Sequence, residues 1–370
     1  SSKGEVTVFG DQKKLKILNP NPKVELLGWD DFEGFLTNSI GKVLVDRKSL
    51  PIAALRALEK GSSKILLKNA DLCSLPKACK NQTEIEGARK AHTRDGAAMV
   101  SFLAWFETTD HSKLDEIKVV KSLESFRAKT NLLQDISFDT ISGSGPNAAI
   151  VHYRVTHETN RKLDTNSVLL IDSGAQYFDG TTDVTRTLPL GCPNLKMRQT
   201  FTRVLQGMIA VSQIRFPKGI TGRELDPLAR APLWMAGQDY DHGTGHGVGN
   251  FLSVHEGPQR ISRMTDVELR QGMIISNEPG YYDAENFGIR IENLLVVQPA
   301  PMLPNSDPRD MWEFETLTYV PINKKLIEIN LLTAQEILWL NSYHNKILMK
   351  LAPLIDLPTK EWLVKATSPI

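Results

Sequence analysis

Between His242 and Gly249 a glycine stands at every second position, 243, 245, 247 and 249, and a backbone so interrupted does not hold a helix. At about 1 kcal/mol per glycine relative to alanine, a helix there would lose several kcal/mol. The stretch is therefore extended or looped. Side chains alternate on extended backbone, so His242 and His246 point to one side while the other side carries little but glycine hydrogens. Something must approach closely on the bare side, and something polar must face the imidazoles. With His255, the segment holds three of the chain's eight histidines in fourteen residues. One such histidine would read as merely solvated; three at this spacing point to a site.

The chain has 370 residues, 41% hydrophobic and 24% charged, enough for a large core and too many for a single ordinary domain. One large and one small domain is the expected split. A formal net charge of +1 produces no global field, so neither nucleic acid nor an anionic membrane is an expected partner. Cys73, Cys79 and Cys192 are too few and too scattered for a disulfide framework or thiolate cluster, which suits a reducing, cytoplasmic compartment. No run reaches the ~18 apolar residues of a membrane span, and Ser1-Ser-Lys3 opens no signal peptide. Because no initiator Met is present, a longer natural N-terminus is expected.

Residues 1–80 read as a partial small α/β domain. Val6–Phe9, Lys42–Asp46 and Lys64–Leu67 have strand composition, and a helix over 49–59 joins the last two, with Ser49 as cap and Pro51 in its first turn. Asn81 and Glu84 then form a capping box for a helix running to about Thr108, with apolar residues near 3.6 periodicity. His92 lies on its apolar side, as a packed core histidine would. A shorter helix starts over Ser112–Asp115 and runs to about Lys129. Next, Gly143, Gly145 and Pro146 break a strand into a loop leading to His152, a lone histidine that gains weight only beside the 242–255 cluster.

Two acidic pairs follow, each straddling a hairpin pattern. Asp172 ends the apolar run from Ser167, Asp183 lies on the return run after the Phe178-Asp-Gly180 turn, and a hairpin centred between Tyr177 and Phe178 sets the carboxylates roughly opposite each other. Glu278 and Glu292 repeat the arrangement with a longer turn. A single acid near a turn is ordinarily solvated. All four, however, sit in or beside apolar strand sequence, where unpaired carboxylates are costly and opposed like charges need a cation. Four carboxylates with imidazole and no thiolate form a hard donor set suited to Mn²⁺, Co²⁺ or Zn²⁺. Two divalent ions about 3.5–4 Å apart need about this many ligands, so the residues point to a two-metal hydrolase.

Taken together, Asp172, Asp183, the His242-Gly-Thr-Gly-His246 segment, Asn277-Glu-Pro-Gly-Tyr281 and Gly288-Ile-Arg-Ile-Glu-Asn293 resemble the pita-bread metallopeptidases: aminopeptidase P, prolidase and methionine aminopeptidase. Gln176–Arg186, Gly245–Leu252 and Phe314–Pro321 look most like the eukaryotic-type Xaa-Pro aminopeptidases, with their N-terminal domain missing. The resemblance implies an α+β pita-bread catalytic domain over 81–325 and a C-terminal helical extension over 326–370. It implies two divalent ions, Mn²⁺ foremost, with Asp172, Asp183, His246, Glu278 and Glu292 as ligands, Asp183 and Glu292 bridging. A metal-bridging hydroxide would attack the bond before proline, and Glu278 would move the proton. His152, His242 and His255 match the family's substrate or intermediate-binding histidines, with Arg290 behind them.

At the C-terminus, Thr333 and Glu336 open a helix whose stripe runs through Leu340, Ile347 and Leu351 and stops near Pro353. Family extensions of this kind contribute to dimerisation, so a homodimer through this region is one expectation; packing on its own subunit is the other. A prolidase or methionine aminopeptidase shares the chemistry and differs in pocket walls. A non-catalytic binding module of the same fold predicts lost ligands, and all five residues are present.

Overall fold

The computed structural model describes residues 4–18, 22–68, 71–163 and 165–370, which divide into two compact units, Ser1–Leu75 and Pro76–Ile370. In the first unit two parallel strand pairs form, Val6–Gly10 with Val24–Gly28 and Lys42–Asp46 with Lys64–Lys68. The helix Ile52–Lys60 joins the second pair, burying Ala54, Ala57 and Leu58. Its cap position is Pro51 rather than Ser49. The Ser49 hydroxyl instead donates to the Asp46 carboxylate in the preceding turn at 2.6 Å and does not accept from the helix's first amides.

The second unit opens with α1, Gln82–Thr108, and the Asn81/Glu84 capping box is made in both directions. His92 lies inside it at 3% exposure, its Nδ1 2.7 Å from the Ala88 carbonyl, and burial depresses its pKa. The shorter helix α2 spans Glu116–Ala128 with Asp115 as cap; residues 111–113 form a separate 3-10 turn, so the helix starts later than the spacing suggested.

Two antiparallel sheets carry the acids. In the first, β1 (Ile141–Ser144) and β3 (Val184–Leu190) flank β2 (Ser167–Ser173). Every residue of β2 is buried, as its continuous apolar run requires. In the second, β4 (Ile274–Asn277) pairs with β7 (Asn293–Pro299), which pairs with β8 (Met311–Thr316), and Phe216–Pro217 completes the edge. Between β4 and β7 the chain makes a further hairpin of β5 (Gly280–Asp283) and β6 (Phe287–Arg290). Helices α3 (Leu195–Gln213) and α4 (Gly222–Trp234) have Asn194 and Thr221 as caps, and α3 packs Phe201, Val204, Leu205 and Met208 into the main core. The Thr333/Glu336 box opens α5, Ala334–Leu351, which buries Leu340, Ile347 and Leu351 as its stripe requires; α6, Leu357–Ala366, follows.

Arg186, on β3, ties the first sheet to the start of β7 and to the C-terminal segment from a fully buried position. Its guanidinium donates to the carbonyls of Thr185, Glu292, Val320 and Pro321 and to the side chains of Asn293 and Tyr343, at 2.6–3.2 Å. An Arg186→Met substitution keeps an unbranched chain in the inner part of the space and strands these acceptors. A buried acceptor left unsatisfied costs about 1–3 kcal/mol, so denaturant unfolding of the variant should show a loss of at least about 3 kcal/mol.

Candidate metal centre

The acids occupy the places where the two hairpins change from one ladder to the next. In the first, Asp172 pairs with Thr185 rather than with Asp183, and the Gln176–Thr181 pair continues the same register. The turn is thus centred one residue later than the spacing suggested. Asp183 falls opposite Gly174, diagonal to Asp172, and both acids face the same side because the offset is even. In the second hairpin Asn277 pairs with Asn293 and Gly280 with Arg290, so Glu278 and Glu292 come directly opposite each other in the gap between the ladders. The two acidic hairpins meet at this gap. The Glu292 amide donates to the Thr185 carbonyl at 3.2 Å, and the Thr185 hydroxyl donates to the Glu292 carboxylate at 2.9 Å.

The glycine-rich segment supplies the imidazoles. Gly245-His246 pairs with Arg260-Ile261, and the His246 amide donates to the Ser276 hydroxyl on β4 at 2.9 Å. The bare side is occupied by backbone, as its composition demanded. A Cβ on Gly245 would lie 1.9 Å from the Ser276 carbonyl oxygen, and one on Gly247 would lie 2.1 Å from that of Glu256. His246 Nε2 thereby comes within 3.5 Å of the Asp183 carboxylate and 3.3 Å of Glu278.

Asp183, His246 and Glu292 offer donor atoms that all lie within 4.8 Å of one another. Glu278 joins through His246. Asp172 joins through Arg290, which binds its Oδ2 at 2.6 Å and stands 4.0 Å from Glu278. The Arg290 guanidinium pairs with Asp172, stands near Glu278 and acts by its charge on Asp183. Burial first, then repulsion from Asp172 and Glu278, holds the Asp183 carboxyl well above the ordinary carboxylate range; burial and then Asp183 do the same to Glu292. Burial also raises Glu278. Two oxygens, Oδ1 of Asp172 and Oδ1 of Asp183, are buried without a hydrogen-bond partner. Mutual repulsion, partnerless oxygens and an all-oxygen-and-imidazole donor set are what a divalent pair would correct, so these residues fit the ions.

The remaining candidates surround the cluster. His242 Nε2 meets the Tyr282 hydroxyl at 2.8 Å and its Nδ1 faces the Gly243 carbonyl at 2.8 Å; burial, then the Arg290 charge, depresses its pKa to about 3. His255 crosses His246 edge-to-face, ring centroids 4.3 Å apart, with its pKa depressed to about 4 by desolvation and then by His246. His152 is exposed on the loop whose Val151 carbonyl faces Arg290 at 3.4 Å, near enough to His242 and His255 to be felt by both. Sequence reasoning missed Tyr282, whose hydroxyl accepts from Arg290 at 2.6 Å while contacting His242. Its place two residues beyond Gly280 in the second acidic hairpin was the available signal. Also missed was the bracket behind His242. Asp226 on α4, fully buried, binds Arg230 at 2.7 Å and accepts from Thr244, while Arg230 donates to the His242 carbonyl. Its signal was an acid and an arginine four apart on one helix.

A carboxylate-and-imidazole cluster between two related antiparallel hairpins is the framework of a metal-dependent peptidase. The chain belongs to metallopeptidase family M24, whose profile matches residues 86–299, and residues 310–370 match the C-terminal region of peptidase M24. Its fold is the α+β pita-bread fold. It is 44% identical over 334 residues to aminopeptidase P1 of Arabidopsis thaliana, covering 84% of this chain and 52% of that protein. Among solved structures it is similar to an X-prolyl aminopeptidase of Caenorhabditis elegans, described as a cytosolic enzyme with a di-nuclear active site. That likeness has a TM-score of 0.88 and 34% identity, over 99% of this chain and 62% of that one. A prolidase from Pyrococcus furiosus aligns with TM-score 0.68 and 25% identity, over 85% of this chain and 87% of its own. The chain spans about half the length of the curated relatives it matches.

The raised carboxyls give a test of the cluster that needs no substrate. A carboxyl whose folded pKa exceeds its unfolded value takes up protons on folding, so its contribution to stability is greatest below the unfolded pKa of about 4 and is lost as pH rises above it. Divalent ions displace those protons, and their stabilising effect must therefore grow with pH. Melting curves with chelator and with Mn²⁺ should separate more widely at about pH 8 than at about pH 5. An equal separation at both would contradict the raised Asp183 and Glu292.

Proposed function

We propose that the protein is a Xaa-Pro aminopeptidase, a metallo-exopeptidase that hydrolyses the bond between an N-terminal residue and a following proline. The observation that carries the reading is the buried four-carboxylate cluster closed by His246, with partnerless oxygens on Asp172 and Asp183. Support for proline specificity comes from the likeness to aminopeptidase P and X-prolyl aminopeptidase chains. Asp172, Asp183, His246, Glu278 and Glu292 would hold two divalent ions, Mn²⁺ foremost, with Asp183 and Glu292 shared. When bound, the ions supply Lewis acidity and a water deprotonated near neutral pH.

This chain's own residues do the rest. Glu278, 3.0 Å from the Ser276 hydroxyl and raised by burial, is placed to take a proton from the nucleophile and return it to the leaving proline nitrogen. His255, held neutral, donates toward the oxygen that becomes negative as the carbonyl turns tetrahedral. His242 and His152 hold the substrate from the other walls, and Arg290 orients Asp172 and the Tyr282 hydroxyl. Peptides with N-terminal Xaa-Pro are the substrates on this reading, and the cytoplasm is the location. No helix among the described residues is long and apolar enough to cross a membrane. A homodimer through the C-terminal region belongs to the same reading, with Leu338, Met349, Leu357 and Val364 as exposed apolar candidates.

Specificity is read by assaying a Xaa-Pro-Xaa tripeptide beside a Xaa-Pro dipeptide and a Met-Ala peptide, with Mn²⁺ added. The tripeptide should be cleaved and chelation should abolish turnover; cleavage of the dipeptide alone would move the assignment to prolidase, and full activity in a metal-free preparation would sink it.

The histidines separate by role. His246→Ala should lose metal and activity together. His255→Ala should keep its metal while kcat falls about 10²–10³-fold, the usual loss for one oxyanion donor, and His242→Ala should keep its metal and bind or turn over substrate more weakly. Stoichiometric metal loss, or full turnover, in His255→Ala would remove it from the transition state.

A further inference from the structure

We propose that Lys80 and Glu256 form a positioning pair that aims His255 at the cluster; the inference deepens the aminopeptidase reading and rests on it. Glu256 directly follows His255, and its side chain turns away from solvent, 12% exposed. Its Oε1 accepts from Lys80 Nζ at 3.2 Å and its Oε2 pairs with Lys77 Nζ at 2.8 Å. The Lys80 side chain is 1% exposed and donates in addition to the Lys77 carbonyl at 2.7 Å. A lysine is almost never so buried unless it is paired, and this pair lies outside the residues that hold metal or substrate.

The glycine-rich segment explains what the pair does. The bare face of that segment packs on Glu256. A Cβ on Gly247 would strike the Glu256 carbonyl, and one on Gly249 would lie 3.1 Å from its carboxylate. The Glu256 amide donates to the Gly247 carbonyl at 2.8 Å. One residue thus sets the spacing between the strand bearing His246 and the turn bearing His255. On the other side of the turn the Leu252 amide is held by Gln176 Oε1 at 2.9 Å. That hold is needed because Leu252 and Ser253 have φ of 64° and 50°, a region bulky side chains disfavour. Lys80 itself is anchored by backbone, its amide donating to Gly272 at 3.0 Å just ahead of α1. The ammonium therefore ties the histidine turn to the body of the fold across 176 positions of sequence.

The test uses the whole chain with Mn²⁺. In Lys80→Met and Glu256→Gln, kcat for a Xaa-Pro-Xaa peptide should fall roughly 10- to 10²-fold, the scale of a displacement of about 1 Å in a catalytic group. KM and bound metal should change little, and Lys80→Arg should recover most of the loss. Amide exchange should rise within 247–257 and stay unchanged in β2 and β3. Turnover within twofold of the parent in both variants, or a loss traced wholly to metal content, would overturn the proposal. Should Lys80→Met fail to fold, the near-isosteric Glu256→Gln decides. If the parent chain cleaves no Xaa-Pro bond, the functional reading fails on its own, and exchange within 247–257 still shows whether the pair holds the turn.

Discussion

Four carboxylates that repel one another in a buried space are the constraint to which the rest of the catalytic unit answers. Left alone, such charges would be driven apart or protonated. The chain keeps them together by strand pairing, which holds Asp172 near the end of one ladder and sets Asp183, Glu278 and Glu292 in the breaks between ladders, where the backbone is fixed on both sides. Arg290 gives partial relief at Asp172, and Thr185 gives one hydrogen bond at Glu292. Neither is enough to bring Asp183 or Glu292 into the ordinary carboxylate range. The fold thus stores an electrostatic cost in the metal-free state that divalent cations would remove, which is the expected trade at a site built to bind ions rather than to stabilise the protein.

How much of this was legible in the sequence depends on distance along the chain. The α1 and α5 capping boxes, the buried strand at 167–173 and the bare glycine face follow from local chemistry and appear as read. The first hairpin was misplaced by one residue because turn length sets register, and the Phe178-Asp179 turn does not announce which pair closes it. Tyr282, the Asp226–Arg230 bracket and the Lys80–Glu256 pair escaped because each takes its meaning from a partner that only tertiary folding supplies. A buried lysine looks like any other lysine until its acid is found 176 residues away.

The glycines show how the same residues serve packing and chemistry at once. Gly245 is needed because the Ser276 carbonyl passes within 1.9 Å of where its Cβ would be. That approach is what lets the Ser276 hydroxyl reach both the His246 amide and Glu278 Oε1. Removing side chains from one face of the segment brings two strands close enough for one hydroxyl to set an imidazole and a carboxylate relative to each other. A larger residue there would separate His246 from Glu278 before it touched either.

The site also divides its ionisable groups by environment. Burial raises the carboxyls of Asp183, Glu278 and Glu292 and lowers the imidazoles of His242 and His255, because in both cases it disfavours the charged form. For Asp183 and Glu292 the consequence is a demand for cations. For His242 and His255, depressed to about 3 and about 4, it is neutrality throughout the physiological range. A neutral imidazole beside a cationic metal pair does not compete for the carboxylates, and it keeps one N–H to donate and one nitrogen to accept. In the proposed reaction that distinction assigns the work: carboxylates hold charge in place, and imidazoles form and break hydrogen bonds to a substrate whose own charge changes as the bond is cut.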